Sequence, residues 1–326
     1  MPNNAISPID ELLTLKDWLR YAVTTFTKAQ IVYGHGTSNA VDEAAFLILS
    51  TLDLPIDNLD PWLDCRLTRP EREQLQHIIK SRVTSRKPAP YLTGAAWIQG
   101  HKFYVDERVI IPRSYIGELL CNDGLAAVIG APESVTSVLE ICTGSGCLAI
   151  LAARAFPNSH VTASDVSNDA LEVAERNVTD YEFGQRVTLL QSDLYAAIGA
   201  QRYDLIMANP PYVTSDAVAA FPPEYQAEPE LAHLGGRDGL DLVKRIIDDA
   251  PNYLQQDGVL VVEIGGARKA LEEAYPLLPF LWLDTQTSEG EVFALTARDL
   301  AAATKPKQPA KTIRSSRAGK SQDKTP

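Results

Sequence analysis

The chain has 326 residues, 45% of them hydrophobic, and a formal net charge of −12. That length supplies a sizeable core and two domains, and the acidic balance argues against a body that grips nucleic acid over a broad face. No apolar run approaches the ~18 residues of a membrane span, no basic-then-apolar leader opens the chain, and Cys65, Cys121, Cys142 and Cys147 form no CxxC pair, which together fit a reducing cytoplasm.

Residues 9 to about 87 are expected to form a small helical domain. "IDELLTLKDWLRYAVTTFTKAQI" sets Leu12, Leu15, Leu19, Val23 and Phe26 near one face. The next helix starts at Asn39 and stops at Pro55; a third has Thr68 as cap, Pro70 in its first turn and Pro88 as its end. His35 and His77 read as surface residues of this domain, and no metal is expected. Residues 88–117, with short aromatic and β-branched runs broken by Gly and Asp, read as a hairpin-like connector.

From 118 to 299 strand and helix alternate. The strand candidates are 138–142, 161–165, 187–191, 205–209 and 259–264, with helical "LAILAARAF" and "DALEVAERNV" between them. That alternation predicts an α/β fold with a mostly parallel sheet covered on both faces. "LWLDTQ" and "VFALTA", joined by a short loop, add an antiparallel edge hairpin and bring the sheet to seven strands. Beyond 299 the chain is expected to be a disordered basic tail, since residues 304–326 hold seven Lys or Arg against one Asp. It could solubilise the protein or attach it weakly to RNA.

Ligands of open α/β sheets bind beyond the carboxyl ends of strands, and the informative residues fall there. "CTGSGCLA" follows the first strand, with Gly144 and Gly146 letting backbone N–H groups approach a ligand ahead of a helix. Asp165 ends the second strand and can accept from both hydroxyls of a ribose; Asp193 follows the third and can accept from an amino group. "GSGCLA" with Asp165 about 20 residues on also matches a dinucleotide fingerprint. The fourth strand argues against an oxidoreductase, because it ends in "NPPY", which supplies acceptors and no acid/base partner for hydride transfer.

Neither proline of NPPY can donate a backbone hydrogen bond, so the strand cannot continue. The Asn209 side-chain oxygen and the Pro210 carbonyl can accept the two N–H bonds of a planar nitrogen, and Tyr212 can stack on its plane. This fixes the direction of a poor nucleophile and stabilises the positive charge it gains while attacking. Two prolines stiffen the corner. The electrophile that suits this corner is a methyl sulfonium beside the glycine loop.

"VLEICTGSGCLAI", "ASDVSNDALEVAERN", "DLIMANPPYV" and "ERVIIPRS" resemble the HemK-like protein-(glutamine-N5) methyltransferases over residues 8 to 299. "PRSYIGELL" and residues 222–242 look most like the PrmB branch, whose members methylate the third protein of the large ribosomal subunit. The resemblance implies a Rossmann-like class I S-adenosylmethionine-dependent methyltransferase whose N-terminal helical domain recognises substrate. It places Glu140, Cys142, Thr143, Gly144, Ser145, Gly146 and Asp165 on S-adenosylmethionine, with Asp193 and Leu194 flanking the adenine. Asn209 would touch both methyl donor and glutamine, and Pro210, Pro211 and Tyr212 would complete the acceptor pocket. Glu140 stands where Asp is usual, and Cys142 replaces the first glycine of the loop.

Arg113 is expected to face the site. Glu224, Glu228 and Glu230 read as a solvated loop, in preference to a surface for a basic ribosomal protein. Three alternatives stay open: the Gly-Gly-Gln glutamine of release factors, adenine-N6 methylation of nucleic acid, and a non-enzymatic ribosome-assembly factor.

Overall fold

The computed structural model describes residues 7–304. The front of the chain folds into helices Pro8–Glu11, Leu15–Lys28, Ala40–Thr51 and Arg69–Ser85. Each long helix starts on a cap: Thr14 and Asp17 form a capping box, Asn39 accepts from the Val41 and Asp42 amides, and Thr68 pairs reciprocally with Glu71. Leu15, Trp18, Ala22 and Phe26, at helical spacing, bury against Leu47, Ile48, Leu75 and Ile79. The buried stripe is therefore centred on Trp18 and Ala22. Leu12, Leu19 and Val23, expected on that face, flank it half-buried. His77 is exposed as expected, but His35 is buried at 2% exposure.

The connector is more than a hairpin. A short helix, Ala89–Thr93, precedes an antiparallel pair, β1 (Ala95–Ile98) and β2 (His101–Tyr104), and a further helix covers Tyr115–Cys121. Beyond it lies a seven-stranded sheet of β3 (Ser137–Ile141), β4 (His160–Asp165), β5 (Val187–Gln191), β6 (Tyr203–Ala208), β7 (Leu254–Glu263), β8 (Leu281–Leu283) and β9 (Val292–Thr296). The strand order is β5-β4-β3-β6-β7-β9-β8. The first five strands of that order run parallel, and β9 and β8 are antiparallel, so the expected edge hairpin is present. Along β6, Leu205 and Met207 face one core while Ile206 and Ala208 face the other, the alternation of a strand buried on both sides. Helix Cys147–Ala155 covers the first face and helix Asp241–Tyr253 the second.

The tail boundary needs correcting. Helix Ala297–Thr304 carries Leu300 into the second core, so the fold continues past 299; the remainder of the expected basic tail lies outside the described residues. Among the described residues, no helix is long and apolar enough to cross a membrane.

A strap of residues 213–236 leaves β6 and folds back, its two ends paired where Val213 meets Leu234. The expectation of a solvated acidic loop fails for two of its three carboxylates. Glu224 is 0% exposed, forms an ion pair with Arg86 at 2.7 Å and accepts from the Val32 amide at 3.1 Å. Glu228 is equally internal, and only Glu230 faces solvent. The strap is thus pinned to the helical domain from which it is distant in sequence.

Arg82 lies under that pin, wholly buried, with Nε 2.6 Å from Glu43 and its remaining donors on the carbonyls of Arg86 and Val32. Removing one member of a buried charge network strands the others, at a cost of ~3–5 kcal/mol. Arg82→Met is accordingly expected to lower the unfolding free energy by about that amount. Urea denaturation measures it, and a loss below ~1 kcal/mol would show that the network is not needed to hold the domain together.

Candidate active site

The register of the sheet decides what meets at its carboxyl edge. Ile141 of β3 pairs with Ser164 of β4 and with Ala208 of β6, and Ala208 pairs with Val262 of β7. Cys142, Asp165, Asn209 and Glu263 therefore reach the edge side by side. The order of the strands also reverses at β3, with β4 added on one side and β6 on the other, which opens a crevice at this point.

Two cavities occupy the crevice. One, about 330 Å³, is walled by Asp165, Asp193, Leu194 and Arg245. The other, about 240 Å³, is walled by Arg113, Glu140, Thr143, Pro210, Tyr212 and Tyr225. Cys142, Gly144, Asn209 and Pro211 line both. Asn209 thus stands at the junction.

The glycine loop works differently from its sequence reading. The Gly144 amide donates to Asp165 at 2.9 Å and the Gly146 amide to the Thr143 carbonyl at 3.0 Å, so both serve the protein itself. At Gly146, φ is +77° and an added Cβ would lie 3.1 Å from that of Ala174. Glycine is needed there to let helix Asn168–Asp180 approach. Asn177 on that helix braces the loop, donating 2.9 Å to the Ser145 carbonyl. Cys142 takes the first glycine's place at φ +60°, a left-handed conformation that costs a side-chain-bearing residue about 1–2 kcal/mol. Burial pushes its thiol pKa well up, so it is not a poised thiolate.

Asp165 accepts from the Gly144 and Ser167 amides, one on each oxygen, both at 2.9 Å, which fixes the carboxylate plane and leaves further lone pairs toward the cavity. Burial raises its pKa. Asp193 is half exposed and pairs with Arg245 at 3.0 Å, while Leu194 beside it is buried at φ +50°. Glu140 is fully buried beneath the loop, accepts from the Thr143 hydroxyl at 2.6 Å, and has its pKa pushed up to about 8 by burial.

At the NPPY corner, Asn209 Nδ2 donates to the Arg113 carbonyl at 3.3 Å, which turns the amide oxygen away from that carbonyl. The Tyr212 hydroxyl lies 3.5 Å from Glu263. Its ring packs on Gly265, where an added Cβ would come within 2.7 Å of Tyr212 Cε2. Glu263 also accepts from the Ser114 hydroxyl at 2.7 Å and the Tyr115 amide at 2.9 Å, and burial pushes its pKa up to about 7. Arg113 does line the smaller cavity, and so faces the crevice as expected of it.

Sequence reasoning passed over Glu263, Gly265 and Arg245, and read Glu228 as part of a solvated loop. An acid at the end of an apolar strand was a visible signal for Glu263. Nothing local marked the other three.

Residues 125–221 match the model of the methyltransferase small domain. The chain is 52% identical over 296 residues to the ribosomal protein uL3 glutamine methyltransferase of Burkholderia pseudomallei, covering 89% of this chain and 96% of that protein. It is 53% identical to the protein of the same name in Bradyrhizobium diazoefficiens, over 89% and 92% of the two chains. For the one in Neisseria gonorrhoeae the figures are 50%, 89% and 96%. The chain belongs to the ribosomal protein uL3 glutamine methyltransferase family. The family resemblance read from the motifs is borne out, and so is the α/β class I methyltransferase fold.

The methyltransferase uses S-adenosylmethionine as its methyl donor, and the larger cavity suits that group. Both cations in its wall are already neutralised, Arg108 by Asp106 and Glu172 and Arg245 by Asp193, leaving Asp165 as the uncompensated charge. That balance favours a cationic ligand with ribose hydroxyls.

Glu140 yields a signed pH prediction. Its folded-state pKa of about 8 lies above its ordinary 4.5, so its contribution to stability is fully present below 4.5 and is lost as pH rises through 8. The stability of the wild type relative to Glu140→Gln should therefore fall between these limits, by an amount on the order of a few kcal/mol. Denaturation of both proteins from pH 5 to 8.5 tests it; a flat difference would mean that the buried carboxyl is ionised throughout.

Proposed function

We propose that this methyltransferase transfers a methyl group from S-adenosylmethionine to N5 of a glutamine side chain in ribosomal protein uL3. The observation that carries the reading is the placement of Asn209: it lines both cavities, and its Nδ2 is committed to the Arg113 carbonyl. Its Oδ1 is left as an acceptor. In this reading the larger cavity holds the donor and the smaller one the glutamine.

S-adenosylmethionine, bound against the glycine loop, supplies an electrophilic methyl on a sulfonium. Asp165 accepts from its ribose hydroxyls, Asp193 and Leu194 flank its adenine, and Cys142 and Gly144, which line both cavities, hold its methionine end. Asn209 Oδ1 and the Pro210 carbonyl accept the two N–H bonds of the glutamine amide and direct its nitrogen into the larger cavity. Pro211 and Tyr212 wall the amide plane, with Tyr212 held by Glu263 and Gly265. As the nitrogen bonds to the methyl carbon, the carbon–sulfur bond breaks and positive charge moves onto the nitrogen. The two carbonyl acceptors stabilise that charge. Alkylation makes the nitrogen acidic, so its proton passes to solvent without a strong base.

The helical domain recognises the ribosomal protein, and the basic tail adds a weak, salt-dependent contact with RNA. The reaction belongs to the cytoplasm, where ribosomal proteins are made.

Labelled S-adenosylmethionine offered alongside unmethylated uL3, release factor and DNA separates this reading from its competitors. Label is expected on one uL3 glutamine, localised by mass spectrometry; label on release factor or DNA instead would overturn the choice of substrate. Asn209→Ala should lower kcat by ~100-fold or more while changing affinity for S-adenosylmethionine by less than ~10-fold. Asp165→Ala should weaken that affinity by ~10-fold or more, since charge-assisted hydrogen bonds are lost; calorimetry giving an unchanged affinity would displace the ribose from Asp165.

A further inference from the structure

Glu228 makes more contacts with the site than any expectation drawn from its place in the sequence. It comes from the strap, yet its Oε1 accepts from the Ile111 amide at 2.9 Å and from Arg113 Nη1 at 2.8 Å, while its Oε2 accepts from Arg113 Nη2 at 2.8 Å. One carboxylate therefore grips the backbone at 111 and the side chain at 113, with Pro112 between them. The segment cannot hinge there, because proline fixes φ and both flanking residues are held.

The carbonyl at the end of this segment, that of Arg113, accepts from Asn209 Nδ2. An asparagine amide has two nearly isosteric orientations that present opposite chemistry. With Nδ2 on the Arg113 carbonyl, Asn209 offers an acceptor to an incoming N–H. Flipped, it would offer a donor and repel the group it should hold.

On the far side, His35 Nε2 and His233 Nε2 stand 3.4 and 3.1 Å from Glu228 Oε2, neither aligned as a hydrogen bond. The carboxylate thus gathers the helical domain, the strap and the 111–113 segment at one point. Burial acts to raise its pKa, but Arg113, His233 and His35 outweigh burial and keep it ionised.

We propose that Glu228 is a positioning residue for methyl transfer: it fixes Ile111–Arg113 so that the Arg113 carbonyl holds the Asn209 amide with its oxygen toward the acceptor. This rests on the reading of Asn209 as the acceptor of the substrate N–H. Glu228 touches neither substrate nor donor, so its effect should fall on kcat and spare binding.

The test is a double-mutant cycle on the full chain with Glu228→Gln, Arg113→Gln and both together, using uL3 and labelled S-adenosylmethionine. Each single change is expected to lower kcat about 30-fold, and in Glu228→Gln KM for uL3 and affinity for S-adenosylmethionine should stay within threefold of wild type. The double variant should be no slower than the worse single one, because both break the same linkage. Wild-type kcat in Glu228→Gln, or single effects that multiply in the double variant, would overturn the proposal; multiplication would mean that Arg113 acts on the substrate independently.

Should Glu228→Gln not fold, Arg113→Lys keeps the charge but loses the two-point fork. It is expected to lower kcat about tenfold, and an unchanged kcat rejects the linkage. A readout independent of substrate is the Asn209 side-chain amide resonance in nitrogen-15-labelled protein, assigned by its loss in Asn209→Ala. It should shift or broaden in Glu228→Gln or Arg113→Lys and in neither case match wild type. A wild type inactive on uL3 would count against the choice of substrate, whereas an unchanged resonance in the variants would count against Glu228.

Discussion

Everything at the site depends on the in-register ends of β3, β4, β6 and β7. Parallel strands have evenly spaced hydrogen bonds, and the pairing runs unbroken from β4 through β3 to β6; between β6 and β7 the register shifts after Tyr203 and is regular from Leu205 to Ala208. Ile141, Ser164, Ala208 and Val262 consequently lie in one row, and the next residue of each strand enters the crevice. A slip of one residue in β6 would turn Asn209 to the opposite face. The two cores, with alternate residues of β6 committed to each, make such a slip costly.

Onto this frame two carboxylates bolt the segment ahead of the sheet. Glu263, at the end of β7, holds Ser114 and the start of helix Tyr115–Cys121; Glu228, from the strap, holds Ile111 and Arg113. Each lies behind one element of the NPPY corner, Glu263 behind Tyr212 and Glu228 behind the carbonyl that meets Asn209. The NPPY corner is thus supported from both sides by buried carboxyl groups. Such support is stable only because every partner is in place.

Much of this was legible in the sequence where the signal is local. Alternating strands and helices, the glycine loop, acids at strand ends and two prolines after an apolar run each follow from neighbouring residues. The class of fold and the row Cys142, Asp165, Asn209 could therefore be read before any contact was known. Glu224 and Glu228 could not, since their partners lie up to 192 residues away and an acidic stretch reads as solvated. His35 was missed for the same reason. The glycines were found but partly misread: Gly146 serves helix packing, a contact no periodicity reveals, and the positive φ of Cys142 shows only in the folded backbone. Residues 300–304 were lost to a composition argument drawn from the basic stretch beyond them, although the alanines there favour a helix and Leu300 anchors it in the core.

The strap's attachment also sets an order of assembly. The helical domain is made first, with Arg86 and the Val32 amide exposed until residue 224 has been synthesised. Domains fold as units during synthesis, so this one leaves the ribosome nearly complete but unlatched. The strap walls both cavities, with Pro229 and Leu231 in the larger one and Phe221 and Tyr225 in the smaller. Both cavities therefore close last, when the strap bridges back across most of the chain, a high-contact-order step that local structure cannot hasten. A chain cut short within the strap would lose the latch together with helix Asp241–Tyr253, β7 and β9, and with them the second core.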